Sequence, residues 1–134
     1  MKEFITWMQC AFAAIGGFMG WFLGGFDGFL YALLVFVIID YFTGIMLAVI
    51  QKKLSSEVGF KGIFKKVLIF CLVAIGHIID THLLKQGSII RTAVIFFYLS
   101  NEGISILENA ALIGLPVPQK LKDILEQLKD KKEE

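Results

Sequence analysis

The sequence predicts an all-α integral membrane protein of one domain, built as a bundle of four transmembrane helices. Of its 134 residues, 57% are hydrophobic, which is more apolar surface than a soluble domain of this size can bury. Uncharged runs recur at lengths close to the ~20 residues that cross a ~30 Å hydrocarbon core. We therefore expect helices near residues 4–26, 29–50, 62–84 and 90–113, followed by a short amphipathic helix in a cytoplasmic tail at residues 115–134.

The first run, residues 4–26, carries no charge and is longer than the apolar part of a typical signal peptide, so we interpret it as a retained transmembrane helix. Its small residues fall within an arc of roughly 100° on a helix. Three of its glycines repeat the G-x-x-x-G spacing, which lets membrane helices approach closely. The stripe predicts packing within the subunit or between copies, through Gly16, Gly17, Gly20 and Gly24.

Residues 29–50 form the most apolar run and contain one charge, Asp40, at the middle. Asp27 and Gly28 separate this run from the first, which predicts a turn and a helical hairpin. A charge at the bilayer midplane costs at least ~2.5–3.5 kcal/mol on insertion scales, so Asp40 is expected to face other helices or water. The same helix face carries Thr43, Gly44 and Ala48.

The loop at residues 51–66 carries five lysines against Glu57. By the positive-inside rule it belongs on the cytoplasmic side, and counting four spans then places both termini in the cytoplasm. We interpret these lysines as membrane-surface anchors and expect no nucleic-acid partner. They are Lys52, Lys53, Lys61, Lys65 and Lys66.

The third run ends with His77, Asp80 and Thr81 on one face, which we interpret as a solvated or inter-helix polar patch.

The fourth run carries a polar stripe along its length. Such a stripe must face a bundle interior, another subunit or a water-filled lumen, unless the helix lies flat at the interface. Its members are Arg91, Tyr98, Asn101, Glu102, Ser105, Glu108 and Asn109.

Pro116 and Pro118 end the fourth helix, and the mixed charges beyond them predict a solvated tail. The sequence lacks a nucleophile–base pair, a metal cluster and a phosphate-binding loop, so we expect neither an enzyme nor a bound cofactor. Cys10 and Cys71 lie in apolar runs and are expected to act as small hydrophobic residues.

Four patches resemble the phage holins of the phage-lysis/toxin-secretion type, relatives of the clostridial toxin-release holin. They are LGGFDGFL at residues 23–30, IDYFTG at 39–44, KKLSSEVGFKGIFKK at 52–66, and the run from RTAV to KLK at 91–122, which contains SILEN and GLPVP. They occur in the family's order over nearly the whole chain.

The resemblance implies a protein of the bacterial cytoplasmic membrane that forms large homo-oligomeric lesions. Through these lesions an endolysin or a toxin would pass without stable binding, and the lipid bilayer would be the other partner. Members of this group are often described with three spans, so three helices are possible here. A second interpretation is a small secondary transporter or channel with Asp40 or Glu102 as its coupling acid. A third is a membrane anchor whose tail recruits a partner.

Overall fold

In the computed structural model, residues 1–133 are described, with side chains for residues 1–127, and they form five helices. The helices are α1 (Lys2–Phe22), α2 (Gly28–Ile50), α3 (Ser56–Ile78), α4 (Ile89–Ile113) and α5 (Gln119–Glu133), and a π turn at Ile79–Leu83 continues α3. Four of them, with α3 extended to Leu83, are long and apolar enough to cross a membrane. The predicted all-α class with four candidate spans is confirmed. Residue 134, the end of the predicted tail, lies outside the described residues.

The ends of the spans follow local capping chemistry. Asp27 begins α2, because its carboxylate accepts a hydrogen bond from the Leu30 amide at 2.9 Å. Ser55 caps α3 in the same way by accepting from Val58, so this helix begins at Ser56 and not near the expected residue 62. The basic loop is correspondingly shorter than the lysine pattern indicated.

The core lies between α2, α3 and α4. Leu33 of α2, Val73 of α3 and Ile95 of α4 are each 0% exposed and belong to one apolar cluster. The large side chains on the outer faces remain exposed, as expected for helices whose surroundings are lipid.

Helix α1 stands apart from this core. None of its side chains is buried over Lys2–Phe22. Among the described residues, no atom of another helix or loop lies within 4 Å of the position that a Cβ would take at Gly16, Gly17 or Gly20. Near its end, Phe18 and Phe22 line an apolar cavity of about 400 Å³ together with residues of α2 and α3. Gly16, Gly17 and Gly20 therefore have no partner within the described part of the subunit.

Helix α5 turns back along α4. Gly114 ends α4 in the left-handed region, with φ of 117°, and α5 begins after Pro118. Leu125 of α5 is buried, whereas the sequence predicts a solvated tail. The difference arises because a glycine in the middle of α4, Gly103, leaves room for the leucine side chain.

Candidate functional site

A cluster of three charged side chains lies at the centre of the bundle, with one charge from each of α2, α3 and α4. The Lys66 ammonium donates to Asp40 Oδ2 at 2.6 Å and to Glu102 Oε2 at 2.9 Å. Asp40 and Glu102 are buried, at 8% and 7% exposure, and lie close to the middle of their helices. One cation thus lies between two carboxylates in the apolar part of the bundle.

Asn109 extends this cluster along α2 and α4. Its Nδ2 donates to Asp40 Oδ1 at 3.2 Å and to Thr43 Oγ1 at 3.0 Å. The Thr43 hydroxyl donates to the Ile39 carbonyl at 2.9 Å. Gly44 also faces Asn109: a Cβ at Gly44 would lie 3.8 Å from Asn109 Nδ2, which is an ordinary van der Waals distance. The polar face that the sequence predicts on α2 therefore meets the polar stripe of α4 within one subunit.

The lysines fall into two groups. Four of those expected at the membrane surface are exposed: Lys52, Lys53, Lys61 and Lys65. Lys66 is grouped with them by sequence but lies inside the bundle, where it pairs with Asp40 and Glu102. Its neighbour Lys65 is about 100° away on the helix, so adjacent lysines face different surroundings.

The rest of the predicted stripe on α4 is less deeply placed. Tyr98 and Asn101 are half-buried, and Glu108 is exposed. Ser105 is half-buried and lines a cavity of about 220 Å³ together with Asp40, Lys66 and Asn109. Ala48, predicted to share the Asp40 face, is half-buried one turn beyond Gly44. The stripe is thus continuous in position but graded in burial.

A second polar centre surrounds Arg91, near the start of α4. Arg91 is 3% exposed, and its guanidinium donates from Nε to the Leu23 carbonyl at 2.6 Å. Its other nitrogens donate to the Gly25 carbonyl at 2.7 Å and to Asp27 Oδ2 at 2.8 Å. One side chain of α4 therefore holds the loop that joins α1 to α2. We call this set of contacts the Arg91 latch.

Gly24 lies inside the Arg91 latch and not in α1, where the predicted glycine stripe places it. Its φ of +88° is a left-handed conformation that favours glycine. A Cβ there would lie 2.6 Å from His77 Nδ1 and 2.8 Å from Arg91 Nε. The stripe on α1 is consequently limited to Gly16, Gly17 and Gly20.

Asp80, which the sequence places with His77 and Thr81 in a solvated or inter-helix polar patch, is buried in this centre. It is 1% exposed, and its two carboxylate oxygens accept from the Ile90 amide at 3.0 Å and the Arg91 amide at 2.8 Å. The π turn that carries Asp80 thus caps α4 across the intervening loop. The separation of ten residues from Ile90 gives no sequence signal that resembles an ordinary N-cap.

The electrostatics of the Arg91 latch favour an ionised Asp27. Burial raises the pKa of the Asp27 carboxyl, but hydrogen bonds from Arg91 and the Leu30 amide, with the Arg91 charge, outweigh it. The net pKa lies below its ordinary value. Asp27 therefore serves both as the cap of α2 and as the anionic partner of Arg91.

Comparison with known proteins identifies relatives over most of the chain. The sequence pattern of the bacteriophage holin family matches residues 17–130. An uncharacterized 14.9 kDa protein of Clostridium perfringens is 41% identical over 98% of this chain and 100% of its own length. An uncharacterized protein of Halalkalibacterium halodurans is 42% identical over 96% of each chain, and one of Listeria monocytogenes is 44% identical over 82% of this chain and 78% of its own. No solved structure matches the chain.

Proposed function

This chain belongs to the bacteriophage holin family, a family of membrane proteins and not of enzymes, and we propose that it forms lesions in the bacterial cytoplasmic membrane. In this proposal, copies of the chain accumulate, assemble into a large homo-oligomer, depolarise the cell and release an endolysin or a toxin. The passenger crosses the lesion without stable binding.

The observation that carries the proposal is the exposed surface of α1. A 21-residue apolar helix with no buried side chain contributes little to the packing of its own subunit. Its three stripe glycines are open, and G-x-x-x-G spacing favours close contact between membrane helices. A second copy of the chain offers an identical face, so α1 is suited to join subunits.

The central ionic cluster is compatible with two arrangements of the subunit, one with the cluster paired inside the bundle and one with it facing water. In the single subunit, Lys66 is already paired with Asp40 and Glu102. If subunits regroup around water, the same side chains become lumen-lining groups and regain hydration. Two such arrangements differ by regrouping of packed helices, which is a common kind of switching transition.

The remaining features concern placement in the membrane. The exposed lysines Lys52, Lys53, Lys61 and Lys65 suit contact with the anionic inner surface of the membrane, which favours cytoplasmic N- and C-termini.

The alternative function, a small transporter or channel, is favoured by the cavity of about 220 Å³ beside Asp40. In that case the acid would exchange a proton or a solute within each subunit.

An induction assay in bacteria separates the two functions. The chain is expressed with and without a cytoplasmic endolysin that lacks an export signal, while membrane potential and viability are followed. An abrupt loss of potential after a delay, with lysis only when the endolysin is present, is the expected result. A gradual, solute-dependent change without endolysin escape would contradict the lesion proposal and favour transport.

A further inference from the structure

Helix α5 packs into a groove in the side of the bundle. Leu125 is 7% exposed, and its two Cδ atoms lie 2.9 and 3.0 Å from the position that a Cβ would take at Gly103. Phe36 of α2 reaches the same point at 3.1 Å. The leucine therefore occupies a groove between α2 and α4 that exists because residue 103 is glycine.

This groove lies deep in the span. Gly103 follows Glu102 of the ionic cluster directly and is close to the middle of α4. Because α5 runs back from the end of α4, its first two turns lie beside the half of α4 that follows Gly103. With α4 crossing the membrane, as its length and hydropathy allow, the docked helix lies at membrane depth.

The outer surface of α5 is unsuited to lipid at that depth. Every charged side chain within residues 119–126 is exposed. These side chains are Lys120, Lys122, Asp123 and Glu126. Several charges placed in hydrocarbon cost more free energy than the burial of one leucine provides. Docked α5 is therefore compatible with water on its outer side and incompatible with lipid there.

We propose that α5 docks on the Gly103 groove only where that side of the bundle faces water, which makes it a lumen-side element of the assembled lesion. The inference rests on the lesion function proposed above. In a subunit surrounded by lipid, α5 leaves the groove and lies in the cytoplasm. Because α5 binds one state of the subunit in preference to the other, its docking stabilises the water-facing state.

Limited digestion with trypsin tests this on the unmodified chain. Inside-out membrane vesicles are prepared from induced cells harvested before and after the abrupt loss of potential. Cleavage after Lys120 and Lys122 is compared by mass spectrometry with cleavage after Lys52 and Lys53, which are exposed in the basic loop and serve as the internal reference. A docked helix must open locally before it is cut.

Before the loss of potential, the two sets of sites are expected to be cut at similar rates. Afterwards, cleavage in α5 is expected to become roughly tenfold slower relative to the loop. Leu125→Asp removes this protection, whereas the matched variant Ile124→Asp keeps it, because Ile124 is 46% exposed in the docked helix.

An unchanged cleavage ratio across the loss of potential would overturn the inference, and so would equal effects of the two aspartate variants. If the membrane potential collapses after the usual delay while the ratio of α5 cleavage to loop cleavage stays constant, the lesion function is supported and the docking of α5 is refuted. If potential never collapses, the lesion function itself fails and the inference fails with it. The recording of potential distinguishes these cases.

Discussion

Replacement of Lys66 by methionine removes the cation of the central cluster and keeps most of the side-chain volume. Lys66 lies 2.6 Å from Asp40 and 2.9 Å from Glu102, and both carboxylates are buried. Breaking a buried ion pair by removing one partner typically costs ~3–5 kcal/mol, because the other charge stays buried. The adjoining cavity of about 220 Å³ provides room for water. We therefore expect Lys66→Met to lower the free energy of unfolding by about 3 kcal/mol.

Reversible unfolding in mixed detergent micelles, followed by far-UV circular dichroism, measures this change. The matched control is the triple variant Lys66→Met, Asp40→Leu, Glu102→Met, which replaces all three charged side chains by apolar ones of similar size. Replacement of a whole buried ion pair by apolar residues is often close to energetically neutral, so the triple variant should unfold within about 1 kcal/mol of the native chain. A single variant as stable as the native chain, or a triple variant as unstable as the single one, would refute the reasoning.

Three further predictions concern the Arg91 latch and α1. Because the pKa of Asp27 is lowered in the fold, its ion pair contributes stability above the unfolded value and loses it as pH falls through the lower folded pKa. Asp27→Asn keeps the helix cap but removes the titrating carboxyl, so the free energy of unfolding should depend less on pH between about pH 6 and pH 3. The difference from the native chain should be at most ~1 kcal/mol, because Asp27 is partly exposed. Gly24→Ala should destabilise the subunit by ~2 kcal/mol in the micelle assay, through left-handed strain and contact with the His77 ring; a stable variant would contradict the geometry. Gly20→Leu should leave that unfolding free energy nearly unchanged but reduce chemically cross-linked oligomers in membranes, and undiminished cross-linking would remove α1 from the proposed interface.

The spans were predictable because they depend on run length and charge, which the sequence displays directly. The Asp40 face and the Glu102 stripe were predictable as faces because helical spacing fixes which residues share a side. Their mutual contact was not predictable, since spacing within a helix says nothing of the rotation of one helix against another. Lys66 illustrates this limit: among the five lysines of residues 51–66, no local feature of the sequence separates the one that faces the inside of the bundle.

The Arg91 latch could not be found from side-chain pattern for a different reason. Two of the three acceptors of its guanidinium are main-chain carbonyls, of Leu23 and Gly25, and every residue carries a carbonyl. Gly24 was the available signal, but its position four residues after Gly20 placed it in the helical stripe instead. The sequence placed Asp80 in a polar patch but did not indicate its capping role, because the helix that it caps begins only after the following loop.

The two polar centres differ in what their disruption costs, and this sets an order for any regrouping of helices. Separation of α2 from α4 exposes the ionic cluster and the core around Leu33 and Ile95 together. Movement of α1 changes the loop held by the Arg91 latch and the apolar cavity lined by Phe18 and Phe22, but it uncovers no buried side chain of Lys2–Phe22. We therefore expect subunits to associate through α1 first, with the α2–α3–α4 core intact. Wetting of the Asp40 cluster then follows once neighbouring subunits replace lipid around the core, since only then does water have a path to it.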